Sequence, residues 1–198
     1  WFAAWGAWIF NIYGQKDVRV LDGGRVKWEK DGRALTTAVP TFSAGNFVAT
    51  KADKALRATL INDVLPVAKK RVKADLVDIR GADEFNGKIF AAPGFQELAV
   101  RAGHIPGAIN VPWGANVNAD GTFKTVAELK KLYADKGIDG KQNIITYCRI
   151  GERSSLTWFV LSEILGYNVK NYDGSWTEYG NSVGVPIVNN AGTIWGAA

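Results

Sequence analysis

The sequence predicts an α/β fold: a parallel sheet covered by helices on both faces. Three observations carry this. Strand-like and helix-like patterns alternate at regular spacing from Ala74 onward. The only cysteine, Cys148, stands where an apolar run (Ile144, Ile145, Tyr147) meets a tight turn at Gly151 and then a helical pattern of Leu156, Phe159, Val160, Ile164 and Leu165. A helix end, glycine, strand, Asp-Gly turn and aromatic helix also occur twice, near residues 14–28 and 166–179.

In chain order, Trp1–Tyr13 reads as an aromatic-rich helix, too apolar on all sides to stand alone in water and closed by Gly14. Val18–Leu21 reads as a short strand, Asp22-Gly23-Gly24 as a turn, and the next residues as a short helix carrying Trp28. Gly32–Lys51, with Pro40, Ser43 and Gly45, reads as a connector. Asp53–Lys70 is expected to be a helix with Leu56, Leu60, Ile61 and Val64 inward, broken near Pro66. Ala74–Arg80 is a strand and Asp83–Phe85 a turn or short helix. Residues 87–103 form a long loop expected near the active edge, and residues 103–113 a turn and second strand. Val126–Tyr133 is an amphipathic helix. The catalytic strand, a helix Glu152–Leu165, a strand Val169–Tyr172 and a last helix near Ser175–Gly180 follow, and Val183–Ala198 is irregular.

Val18, Asp22, Gly23 and Trp28 match Val169, Asp173, Gly174 and Tyr179 at a constant spacing of 151. Such self-similarity points to two copies of one unit. By that spacing a counterpart of Cys148 falls just before Trp1, so the first copy is expected only from behind its own loop onward. The chain starts at Trp1 and contains no methionine, so a processed product, a fragment or a trimmed piece is expected. The apolar tail of the first copy is then expected to pack on a missing N-terminal segment, on the second copy or on another chain. The expected division is 1–37 as the remnant of the first copy, 38–56 as linker and 57–198 as the catalytic domain.

At 198 residues, 47% of them hydrophobic, the chain can bury one average domain plus a fragment. The net charge of +5 comes from dispersed basic residues. It predicts weak attraction for small anions and gives no basic cluster of the kind that binds nucleic acid. One cysteine makes no internal disulfide and fits a reducing, cytoplasmic setting. No metal-ligand cluster is seen, since His104 is the only histidine, and no cofactor is called for. The apolar start is too short to span a membrane and lacks the basic flank of a signal peptide.

The chemistry centres on Cys148-Arg149-Ile150-Gly151-Glu152-Arg153. A loop curled between a strand end and a helix N-terminus turns its N–H groups inward and adds partial positive charge. Arg149 and Arg153 add full charges, and together these favour thiolate over thiol. Arginine on both sides argues against an inert cysteine in an apolar core.

Four segments resemble the rhodanese family of thiosulfate sulfurtransferases: Leu76-Val77-Asp78-Ile79-Arg80, Gly103-His104-Ile105-Pro106-Gly107-Ala108, the loop from Cys148 to Ser154, and Tyr172-Asp173-Gly174-Ser175-Trp176. They span about residues 57–190, and residues 1–37 resemble the end of the inactive domain of two-domain bacterial members. The resemblance implies a five-stranded parallel sheet with helices on both faces, plus a partial second copy at the N-terminus. Cysteine phosphatases place five residues between cysteine and arginine; here four separate Cys148 from Arg153, and the smaller ring suits a sulfur atom.

The resemblance also implies that Cys148 takes the outer sulfur of thiosulfate, releases sulfite and passes the sulfur to cyanide or a thiol with ping-pong kinetics. Arg149 and Arg153 would bind the sulfonate end, with Ile150, Gly151 and Glu152 completing the loop. Asp78, Glu84 and Trp176 are supporting residues; Asp78 is expected to orient the loop, Asp173 and Trp176 to fix a turn near the rim, and His104 to support a turn. The family's animal thiosulfate enzymes carry lysine where Ile150 stands, and their substrate arginine after the first strand corresponds to Glu84. Mercaptopyruvate enzymes usually show Cys-Gly-Ser/Ala-Gly-Val-Thr, so this loop is closer to bacterial thiosulfate enzymes. A mercaptopyruvate donor, a phosphatase and a persulfide carrier without turnover are the competing readings.

Overall fold

A computed structural model of the protein describes residues 1–96 and 99–194. In order, the elements are α1 (Phe2–Ile12), α2 (Gly24–Lys30), α3 (Leu65–Ala68), β1 (Asp75–Asp78), α4 (Ala82–Phe85), β2 (Ile109–Asn110), α5 (Val126–Ala134), β3 (Ile144–Tyr147), α6 (Glu152–Phe159), β4 (Val169–Tyr172) and α7 (Ser175–Asn181). The strands form one parallel sheet in the order β2-β1-β3-β4. Every connection between these parallel neighbours must cross over, and the helices supply the crossovers.

Strand alternation sorts the core into two layers. Val77, Ile79, Ile144 and Val169 face one side, where they meet Leu129 and Tyr133 of α5, Leu156 and Trp158 of α6, and Ala4, Trp8 and Ile12 of α1. Leu76, Ile145, Tyr147 and Tyr172 face the other, against Val64, Ala68 of α3 and Trp176, Tyr179 of α7. Helices on both faces are therefore present, as the sequence predicts.

The sheet has four strands among the described residues, not five. The place beside β4 is held by a single parallel bridge between Arg57 and Asn171, with the Ala58 N–H on Asn171 O at 3.0 Å and the Asn171 N–H on Leu56 O at 3.0 Å. That bridge also corrects the helix expected over 53–70. Residues 56–58 are extended along β4, so helical structure starts only after Thr59, whose N–H is capped by the Asp63 carboxylate at 2.8 Å. It runs as a π turn (Leu60–Val64) into α3. Pro66 stands at the start of the α segment, where its missing N–H costs nothing, and does not break it. Ile61 is exposed rather than inward.

The helix Glu152–Leu165 likewise divides into α6 and a π turn, Val160–Ile164. Val18–Leu21 forms no strand: none of its residues enters a ladder in the described structure. Residues 34–50 carry no helix or strand and lie exposed. The irregular tail is as expected through Ile194, pinned by bridges His104–Val188 and Arg101–Ile194. Part of the expected 87–103 loop (97–98) and of the tail (195–198) lies outside the described residues.

α1 packs on α6 and the core layer beneath it. Ala4, Ala7, Trp8 and Ile12 make one buried stripe, and the Trp8 indole N–H reaches Leu56 O at 3.0 Å. The helix has no side-chain cap and no acidic first turn, so tertiary burial supplies its stability.

Candidate active site

β3 delivers the site. Ile144, Ile145 and Tyr147 fill the two core layers, which fixes the strand end, and Cys148 follows at once. The turn into α6 depends on Gly151 at φ 86°, where any Cβ would lie 2.6 Å from the Asp173 Cα. Only glycine fits both the left-handed backbone and the space. This turn aims the Gly151 N–H at the Cys148 sulfur, 3.1 Å away.

The floor of the loop comes from α7. The Cys148 N–H donates to Ser175 Oγ at 3.1 Å, and that hydroxyl donates to Tyr172 O at 2.7 Å. The Trp176 and Thr177 N–H groups donate to the carbonyls of Cys148 and Arg149, both at 3.0 Å. Ser175 adopts φ 51°, uncommon for a residue other than glycine. Asn171 ties the other side: its Nδ2 donates to Gly151 O and Ser155 Oγ, both at 3.0 Å, and its Oδ1 accepts from Ser154 Oγ (2.7 Å) and Thr146 Oγ1 (3.2 Å). With Asn171 wholly buried, that network satisfies the side chain completely. Asn171 does not stand out in the sequence, and Ser175 is flagged there only by its place in the segment Tyr172–Trp176.

Contrary to the expectation from its flanking arginines, Cys148 is 1% exposed and packs in the apolar layer with Val77, Ile79 and Leu156, because only the end of its side chain adjoins the opening, a cavity of about 20 Å³. Trp1, Phe95, Arg149, Ile150, Glu152 and Arg153 line it with Cys148. That room is on the scale of one small atom or water. The loop thus brings both arginines to the same opening as the thiol. Arg149 donates to Gln96 O at 3.0 Å and sits 5.8 Å over the Phe95 ring, which places the 87–103 loop at this edge. Arg153 lies against the Glu84 carboxylate, with its two terminal nitrogens at 3.3 and 3.5 Å. Glu84 also accepts the Gly81 N–H at 3.0 Å, capping α4.

The remaining candidates lie behind the loop. Asp78 is buried and its carboxylate is taken up by Arg80, which reaches it at 2.7–3.2 Å and holds Gly103 O at 2.7 Å. Burial alone would lower the Arg80 pKa, but Asp78 outweighs it and raises it. Arg80 in turn lies 4.6 Å over Trp176, which is fully buried and not at the rim, its indole N–H on Arg101 O. Asp173 pairs with Arg57 at 3.0 Å. His104 stacks on Phe85 and its Nδ1 meets Phe85 O at 2.7 Å; burial lowers its pKa. Burial also pushes the Tyr179 hydroxyl up to about 12. No helix among the described residues is long and apolar enough to cross a membrane.

Comparison with known proteins identifies the family of this fold. The Rhodanese-like domain family matches residues 65–182. The chain is 55% identical over 191 residues to the "Putative thiosulfate sulfurtransferase" of Saccharopolyspora erythraea, covering 96% of this chain and 66% of that protein. It is 51% identical over 191 residues to the "Sulfur carrier protein TtuD" of Thermus thermophilus, covering 94% of this chain and 67% of that protein. The chain thus spans about two thirds of the length of the relatives it matches. Among solved structures, that of SseA from Escherichia coli, from work on 3-mercaptopyruvate sulfotransferases, superposes with a TM-score of 0.72 at 29% identity over 87% of this chain and 62% of the other. Fold, loop and sequence match together make the chain a member of the rhodanese family.

Proposed function

We propose that the protein is a sulfurtransferase that moves sulfane sulfur from thiosulfate to a thiophilic acceptor through a persulfide on Cys148. The observation that carries this reading is the Gly151 N–H aimed at the Cys148 sulfur, at the base of a one-atom cavity with Arg149 and Arg153 at its opening. The Cys148 thiolate attacks the outer sulfur; the S–S bond of thiosulfate breaks and its electron pair leaves with sulfite. The outer sulfur of the persulfide occupies the cup, where amide donors and guanidinium groups stabilise developing negative charge. Cyanide or a thiolate then attacks that sulfur, leaves as thiocyanate or a persulfide, and the Cys148 thiolate returns. Arginine suits the multi-oxygen end of the donor. The relatives' names support the same class of transfer.

A second reading, a persulfide carrier, is favoured by the relative named as a sulfur carrier. Cyanolysis separates the two. Incubation with thiosulfate should add the mass of one sulfur to the wild-type chain and none to Cys148→Ser, and cyanide should then release thiocyanate over many turnovers. One equivalent of thiocyanate without turnover would favour the carrier; no added mass would end both readings.

A further inference from the structure

The charge balance around the cup speaks to which donor it takes. Glu84 is 2% exposed and fixed from two sides, by the Gly81 N–H and by Arg153. The Arg153 side chain is only 15% exposed and lies 3.3 Å from that carboxylate. Arg153 therefore stands against a buried carboxylate, Arg149 and Glu152 share the lining, and Trp1, Phe95 and Ile150 supply its apolar side chains. Coulomb energy falls only as the inverse of distance, so a ligand that gains from Arg153 loses much of that gain to Glu84 a few ångströms behind it. The loss doubles with the ligand's charge. The apolar part of the lining, by contrast, offers contact to a carbon substituent that thiosulfate lacks.

We infer that Glu84 is a specificity-determining residue, and that by neutralising Arg153 from behind it tunes the cup toward a monoanionic thiosulfonate, R–SO₂–S⁻, over the dianion thiosulfate. The inference rests on the reading of Cys148 as the transfer thiol. The chemistry keeps its balance: the thiolate takes the terminal sulfur and the S–S bond breaks, with a sulfinate leaving in place of sulfite.

Steady-state kinetics with thiosulfate and with methanethiosulfonate test this, using cyanide as acceptor. Wild type should show the higher kcat/KM with methanethiosulfonate. Glu84→Gln keeps an acceptor for the Gly81 N–H and removes only the charge. It should lower KM for thiosulfate about tenfold, more than it moves kcat, and change KM for methanethiosulfonate less than about threefold. Glu84→Asp, which restores the charge, should return the ratio of the two KM values toward wild type. A role in folding alone would move both donors together, and that outcome, or no change in either, overturns the inference. A measurement on wild type stands beside the variants: sulfate and methanesulfonate should protect Cys148 from iodoacetamide at concentrations within about threefold of each other, and tenfold tighter protection by sulfate overturns the inference. Absence of turnover and of persulfide with both donors removes the sulfur-transfer reading itself, whereas turnover without a charge-dependent donor ratio removes this inference alone.

Discussion

Residues 14–30 and 166–181 follow one local script and come to different ends. In both, a glycine after a helix takes a left-handed φ, 93° at Gly14 and 72° at Gly166. In both, the first residue of the following short helix does so again, 55° at Gly24 and 51° at Ser175. Beyond these turns the regions part. Residues 169–172 pair with β3 along their whole length, whereas residues 18–21 join no ladder. α7 buries Ser175, Trp176, Tyr179 and Gly180; α2 buries none of its residues. Trp176 lies under Arg80, while Trp28 sends its indole N–H to the nearby Ala34 O and remains partly exposed. Turn geometry is thus written locally, but a strand and a buried helix face need neighbours. The second lesson is in the matched left-handed position. Glycine holds it where nothing depends on the side chain, and serine holds it where a hydroxyl must anchor Cys148.

The largest effect should come from removing the aromatic anchor in each region. Trp176→Ala should cost about 3–5 kcal/mol in urea unfolding, from a cavity beneath Arg80. Trp28→Ala should cost no more than about 1 kcal/mol. Equal losses would break the contrast between the buried and the exposed unit. Next, exchanging the left-handed residues should separate stability from activity. Gly24→Ser should destabilise by about 1–2 kcal/mol, because a Cβ is introduced at positive φ, without affecting sulfur transfer. Ser175→Gly should ease the backbone but lower transfer about tenfold, since the Cys148 N–H loses its partner. A Ser175→Gly variant with full activity would show that the hydroxyl is dispensable.

The smallest effect concerns pH. His104 belongs to neither region, and burial lowers its folded pKa below that of the unfolded chain. The unfolded state then binds the proton first as pH falls, so the stability from neutral His104 is complete above the unfolded value, near 6.5. It declines on acidification from there to the folded value and levels off below it. His104→Asn should flatten this part of the stability-versus-pH curve while leaving the difference between the two regions intact.

Much of the fold was legible because apolar periodicity marks it: β1, β3, β4, α5, α6 and α7 lie within a few residues of where spacing places them. The errors share a cause. Asp53–Lys70 has helical spacing, but Arg57 is captured by β4, and no local pattern announces a bridge to Asn171. Val18–Leu21 has strand spacing without a partner. At the site, the loop from Cys148 to Arg153 could be read directly, because its residues are contiguous. Its supports could be read only in part: the resemblance points to Glu84 and to the segment holding Ser175, but not to the pairing of Glu84 with Arg153 across 69 positions, nor to Asn171, whose role depends on what folds over it.

The cup above Cys148 has room for about one atom. Anything that reaches the sulfur must therefore vacate the entrance before another molecule can follow. On the proposed transfer chemistry giver and taker would share this one opening, so a crowd of one should slow the other by simple obstruction.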